Sequence, residues 1–198
     1  MTIILFGDSI SSGTPTTIAN YKQSTGYQMQ QLTDRRVIDM SHAGMRVCRA
    51  IDDNNWVVKL ADIALLDSIN ILSRLPMGKD VDVIIQLGAN DVKNNTPVLD
   101  VKSYIKAAVT FIQRFGSNPV LISPVGTYLE APGSLPLYDE LRVAYGTIAA
   151  QHGCQHIGGR SLIDPNNPDL YALPDDEHLS ALGHFIMASN IMAALCND

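Results

Sequence analysis

The sequence is short of several things. Among 198 residues there are only three cysteines, one tryptophan and an aromatic content of 6%. Cys48, Cys154 and Cys196 are odd in number and far apart. That excludes the paired framework of a small secreted domain and reads as reduced thiols in a cytoplasmic compartment. Cations are scarce as well: 14 Lys and Arg against 20 Asp and Glu leave a net charge of −6. No basic stripe of the kind that neutralises phosphates is present, so nucleic acid is not an expected partner. No apolar run approaches the ~18 residues of a membrane span. The run Ile3-Ile4-Leu5-Phe6 is stopped by Gly7-Asp8-Ser9, short of the ~7–15 apolar residues of a signal peptide. The expectation is a soluble, cytoplasmic chain with no membrane partner. Gly-x-Gly-x-x-Gly and the P-loop are missing too, which argues against a nucleotide binder.

What is there is globular composition, 46% hydrophobic and 17% charged. The length suffices to bury a core without disulfide or metal staples. No repeat, low-complexity tract or linker divides it, so residues 1–198 are expected to form a single domain.

Short β-branched runs alternate along the chain with longer helical patterns. Ile3–Phe6, Val37–Met40, Val81–Leu87 and Val120–Ser123 have strand length and end near Gly, Asp, Ser or Pro. Residues 154–157 offer a shorter fifth strand. Continuous apolar runs, rather than alternating ones, indicate strands buried on both faces of a parallel sheet. Between them, Val58, Ala61, Leu65, Ile69, Leu72 and Leu75 make one helical stripe. Thr96-Pro97 reads as an N-cap with Pro in the first turn. Val101, Tyr104, Ala108, Phe111 and Phe115 make the next stripe. Residues 138–151 and 181–195 are also helical, with Phe185, Ala188, Met192 and Leu195 on one face of the last. Such alternation implies right-handed βαβ crossovers and a three-layer α/β/α domain around about five parallel strands. Ligands of these folds bind outside the carboxyl ends of the strands.

Those ends carry chemistry. After the first strand comes Gly7-Asp8-Ser9-Ile10, after the second Ser41-His42-Ala43-Gly44, and after the third Gly88-Ala89-Asn90-Asp91. Asp175-Asp176-Glu177-His178 lies just before the last helix. A serine becomes nucleophilic when a base within hydrogen-bond reach takes its proton. An imidazole, unperturbed at a pKa of ~6.5, is mostly neutral at pH 7 and suits that role, which points to His178. The imidazolium then wants a carboxylate on its other nitrogen. Asp175 is preferred on its three-residue spacing, with Asp176 and Glu177 as the neighbouring acids. A tetrahedral intermediate needs preset donors: the backbone N–H groups of Ser9 and Gly44 and the Asn90 amide are the candidates. Asp8 and Asp91 read as loop-shaping residues.

Together the four segments resemble the blocks of the SGNH hydrolase superfamily, the GDSL-type esterases and lipases. The resemblance runs from Gly7 to His178 in the expected order, with Ile10 where leucine is most familiar. It implies a flavodoxin-like three-layer sandwich. Ser9 would be the nucleophile, His178 the base and Asp175 its partner. Ser9, Gly44 and Asn90 would form the oxyanion hole.

Other readings compete. Ser in a βα turn is often a helix N-cap, and Asn90 with Asp91 can shape a turn through side-chain bonds to backbone. His152-Gly153-Cys154-Gln155-His156 alternates soft and imidazole ligands, but no second cluster completes a tetrahedral set, so no metal is expected. No cofactor is expected either. His42, beside the oxyanion segment, and Tyr128 and Leu129, in a turn-rich loop over residues 124–137, are the candidate substrate contacts. With no long apolar run in the loops, the expected substrate is a small-molecule ester with a short acyl group, sugar O-acetyl esters included. Acyl transfer, thioester or lysophospholipid hydrolysis at the same site, and an inactive binding module of the same fold, are the alternatives.

Overall fold

The computed structural model describes residues 1–13, 22–47, 75–125, 135–172 and 178–196. Among these, five strands run parallel in one sheet: β1 (Thr2–Gly7), β2 (Arg36–Asp39), β3 (Val81–Gln86), β4 (Asn118–Ile122) and β5 (Gln155–Ile157), in the order β2-β1-β3-β4-β5. Every apolar run expected to be a strand is one, with ends moved by a residue or two. Ile3, Ile4, Leu5 and Phe6 are at most 1% exposed, as are Ile84 and Ile85 beside them. Burial on both faces is why these runs are continuous rather than alternating. The edge strand β2 is only half-buried.

Helices α1 (Ser9–Ser12), α2 (Thr25–Gln31), α3 (Ala89–Lys93), α4 (Val98–Arg114), α5 (Leu135–His152), α6 (Gly159–Leu162) and α7 (Ala181–Cys196) complete the described elements with a 3₁₀ turn at Pro168–Leu170. From β1 the chain steps outward to β2, whereas from β3 it steps the other way through β4 to β5. Right-handed crossovers in opposite directions put their helices on opposite faces. Accordingly α4 packs with α5, and α2 packs with α7. The result is the expected three-layer α/β/α sandwich with a flavodoxin-like strand order.

Helix registers differ in detail from the pattern. In α4 the buried residues are Val98, Val101, Ile105, Ala108, Val109 and Ile112. Tyr104 and Phe111 lie at the border of the core, and Phe115, just past the helix end, is 46% exposed with its ring 4.8 Å from that of Phe111. The compact aliphatic side chains take the centre and the rings its rim. Pro97 itself occupies the cap position, and the Thr96 N–H donates to the Asp91 carbonyl. In α7 the buried face is Gly183, His184, Met187, Ala188, Ile191 and Met192, and Phe185 is exposed. Cys196 is exposed at the helix end. The stripe from Val58 to Leu72, and Cys48, lie outside the described residues.

Candidate active site

The site starts from the strand order. β1 and β3 are neighbours although β2 lies between them in sequence, so the crevice where the chain turns opposite ways opens at their carboxyl ends. Gly7 ends β1 in register with Gln86, the last residue of β3. Gly7 has no room for a side chain: a Cβ there would stand 2.5 Å from Ser11 Cβ and 2.8 Å from Ser41 Oγ. This close approach lets the chain turn at once into α1. Asp8 caps that helix, its carboxylate accepting the Ile10 N–H at 3.0 Å. Ser9 is therefore the first helical residue and not the cap, and it stands half-buried at the crevice.

The chain leaving β2 stays beside β1. Met40 N–H donates to Leu5 O at 2.8 Å and His42 N–H to Gly7 O at 3.0 Å. A turn at Ala43-Gly44 comes next, with Gly44 at φ +78°, where glycine is favoured. His42 is exposed, its Nδ1 2.8 Å from the Ala43 carbonyl. From the third segment, Asn90 Nδ2 donates to the Met45 carbonyl at 3.1 Å, and Asp91 Oδ2 accepts the Val47 N–H at 2.8 Å. Gly44 and Asn90 are thus brought together by a direct bond one residue past Gly44, at the strand edge where β1 gives way to α1 and Ser9.

His178 is held by a short antiparallel ladder. Ala172 N–H donates to its carbonyl at 2.8 Å, Tyr171 pairs with Leu179, and Ser180 N–H donates to Leu170 O at 3.0 Å. Ser180 then starts α7, its hydroxyl accepting the Gly183 N–H at 3.1 Å. On the first turn of α7, His184 Nδ1 lies 3.0 Å from the Thr25 hydroxyl, at the start of α2. That end of α2 sits beside Asp39, the last residue of β2. His178 accordingly stands at the carboxyl edge too, half-buried. Burial, with the neighbouring His178, pushes the His184 imidazole down to about 4. Asp175, Tyr128 and Leu129 fall outside the described residues.

Under this edge lies a polar layer that motif and periodicity do not single out. Ser11 donates its hydroxyl hydrogen to Gln86 Oε1, both side chains being fully buried. Asp39 accepts the Ser41 N–H at 2.9 Å and the Ser24 hydroxyl at 3.3 Å, and burial raises its carboxyl above the usual range. A signal existed: Gln86 follows the buried run Val83-Ile84-Ile85 at the end of β3, and a buried polar residue there needs a partner.

A cleft of about 630 Å³ opens at the opposite, amino-terminal edge, beside Arg35, Asp82, Asn118 and Cys154. Its polar groups engage one another, Arg35 with Asp82 and Asn118 Nδ2 with Asp82 Oδ1 at 3.2 Å. No histidine is among the residues that line it, so it offers no imidazole base for a nucleophile. Among the described residues no three His, Cys, Asp or Glu side chains gather as metal ligands, and no helix is long and apolar enough to cross a membrane.

Residues 5–186 match the model of the GDSL-like lipase/acylhydrolase family. The chain belongs to this family. It is a serine-based hydrolase of carboxylic esters. No curated protein sequence matches it significantly. Among solved structures it resembles the psychrotrophic esterase EstA from Pseudoalteromonas sp., at 18% identity and TM-score 0.74, covering 99% of this chain and 97% of that one. A member of the lipolytic protein G-D-S-L family from Veillonella parvula DSM 2008 is similar at 16% identity and TM-score 0.75, covering 98% and 97%. The acetyl xylan esterase AlAXEase is similar at 18% identity and TM-score 0.70, covering 98% and 99%. At these identities the likeness establishes the shared fold. The family's three-layer core is the one seen here.

Proposed function

We propose that this family member hydrolyses short-chain carboxylic esters through an acyl-enzyme on Ser9. His178 takes the Ser9 proton as the hydroxyl attacks the ester carbonyl, and returns it to the leaving alcohol. Asp175 orients the imidazole and stabilises its positive form. The backbone N–H groups of Ser9 and Gly44 and the Asn90 amide receive the oxyanion. Water, activated by the same imidazole, then releases the acid. The observation that carries the reading is the bond from Asn90 to the Met45 carbonyl, which joins the two outlying donor segments at the edge where β1 presents Ser9. An amide nitrogen has two hydrogens, so one bond to Met45 leaves a second for the substrate.

His42, exposed beside Gly44, with Tyr128 and Leu129, would line the substrate side. The turn-rich residues 124–137 contain no long apolar run, which favours acetyl and other short acyl groups. The acetyl xylan esterase of the same fold makes sugar O-acetyl esters the first natural class to try. The net charge of −6 slightly disfavours strongly anionic substrates. Cytoplasmic residence is supported by unpaired thiols at Cys154 and Cys196.

A panel of p-nitrophenyl esters of rising acyl length, with acetylated xylo-oligosaccharides alongside, tests the reading. Turnover is expected to be fastest at acetyl to butyryl, and Ser9→Ala to lose on the order of 10⁶-fold in kcat. Equal turnover by Ser9→Ala removes the nucleophile assignment. Labelling of Ser9 by a fluorophosphonate separates an enzyme from an inactive module of the same fold.

A further inference from the structure

We propose that Asp91 is a positioning residue for acyl transfer, its buried carboxylate holding the Gly44 segment and Asn90 together as one rigid donor unit. The proposal rests on the reading of Gly44 and Asn90 as oxyanion donors.

Two adjacent side chains at the start of α3 grip one short piece of backbone with opposite polarity. Asn90 Nδ2 donates to the carbonyl of Met45 at 3.1 Å. Asp91 Oδ2 accepts the N–H of Val47 at 2.8 Å. An accepting carbonyl at Met45 and a donating N–H two residues on, at Val47, fix both the height and the rotation of the segment. Val47 and Asp91 are both fully buried, so their bond lies out of water, where an unmade bond costs most.

Gly44 needs such a grip. Its φ of +78° puts it in a turn, and among the described residues beyond its chain neighbours no atom stands within 4 Å of where its Cβ would be. Its position is set through the chain on either side, by His42, which bonds to Gly7, and by the Met45–Val47 segment that Asn90 and Asp91 hold. Asp91 is itself 0% exposed, so it acts on the reaction through the backbone and not by touching substrate. Its own carbonyl accepts the Thr96 N–H at 2.9 Å, a bond that side-chain substitution leaves in place. The carboxylate's contribution can therefore be separated from the loop's general shape.

An oxyanion hole works because its donors are in place before charge develops, and losing one costs ~10²–10³-fold in kcat. Displacing the Gly44 amide by releasing Val47 should act on the transition state and spare ground-state binding. The test measures kcat and KM for p-nitrophenyl acetate on folded enzyme, counted by fluorophosphonate titration, in Asp91→Ala, Asp91→Asn, Asn90→Ala and the Asn90→Ala/Asp91→Ala pair. Asp91→Ala is expected to lose roughly 10²-fold in kcat with KM within about threefold. Asp91→Asn, which keeps an acceptor oxygen, should recover to within about tenfold of the wild type, and the pair should lose little more than its worse member. A folded Asp91→Ala with wild-type kcat, a loss confined to KM, or an additive pair overturns the proposal while leaving the oxyanion reading intact. Wild-type kcat in Asn90→Ala overturns the oxyanion reading itself. Should Asp91→Ala not fold, Asp91→Glu carries the test. Its extra methylene displaces the same segment and is expected to give the same loss in kcat at constant KM, and wild-type kcat there overturns the proposal.

Discussion

The hydroxyl of Ser11, one residue beyond Ile10 on the short helix that carries Ser9, donates to the side-chain carbonyl of Gln86 at the end of β3. The bond crosses from the first strand-end segment to the third in the buried crevice between β1 and β3. With the Asn90 bond to Met45, it links all three strand-end segments through side chains.

Gln86→Leu should therefore destabilise the fold by about 1–3 kcal/mol, because it leaves a buried hydroxyl without its acceptor. Ser11→Ala alone strands the Gln86 carbonyl and should cost a similar amount. The double variant removes both polar ends and should cost less than the sum of the singles. Urea midpoints for the four proteins give the coupling. Strict additivity would show that the two side chains do not depend on each other.

The His184 imidazole gives the stability curve an acid limb. It is 2% exposed, bonded to Thr25, and held down to about 4 by burial and by His178. An unfolded histidine titrates near ~6.5, so the unfolded state takes up the proton first as pH falls. The stabilisation from keeping His184 neutral is complete above pH ~6.5 and drains away between there and pH ~4, by about 3 kcal/mol in all. His184→Gln can still bond to Thr25 but cannot charge. Its melting temperature should fall less than that of the wild type between pH 6.5 and 4. Parallel curves would assign the acid limb to another group.

Most of this architecture was legible in the sequence because it depends on burial alone. Ile3–Phe6 and Val81–Leu87 read as strands because apolar runs of that length between turn formers have to be buried. The helix faces were less legible. In α4 the periodic pattern admitted Phe111 and Phe115, yet Ile105, Val109 and Ile112 fill the centre, a choice made by the shape of the neighbouring sheet and α5. In α7, His184 is buried and Phe185 exposed, which polarity alone inverts; the hydroxyl of Thr25, far away in sequence, decides it. At the site, the type of each strand-end residue was readable, but its partner was not. That Asn90 grips Met45 and Asp91 grips Val47 is a fact of three-dimensional register between segments that share no local signal.

Gly7 leaves no room for a side chain. A methyl group there meets Ser11 Cβ at 2.5 Å, Ser11 Oγ at 2.7 Å and Ser41 Oγ at 2.8 Å, on two elements that are both anchored. Gly7→Ala has to push α1 or the Ser41 segment away, at an overpacking cost of about 1–3 kcal/mol. Because α1 carries Ser9, kcat should fall by more than the loss of folded fraction explains. Active-site titration at a temperature well below the melting point separates the two. Full activity per titrated site would mean that the displacement is absorbed without moving Ser9.

Asp39 carries the opposite pH signature to His184. Burial raises its carboxyl above the ordinary range, and the Ser41 and Ser24 hydrogen bonds offset only part of that. A raised folded pKa means that the folded state binds the proton more tightly than the unfolded one. The ionised carboxylate is therefore a burden at pH values above the folded pKa and is relieved as pH falls through it. Asp39→Asn keeps an oxygen that can accept the Ser41 N–H and removes the charge. Its melting temperature should match or exceed that of the wild type at pH 7 to 8, and the gain should shrink as the pH is lowered toward ~4, the range of an unfolded carboxyl. A lower melting temperature at pH 8, with the deficit closing in acid, would mean that the negative charge is instead needed at the base of the Ser41 turn.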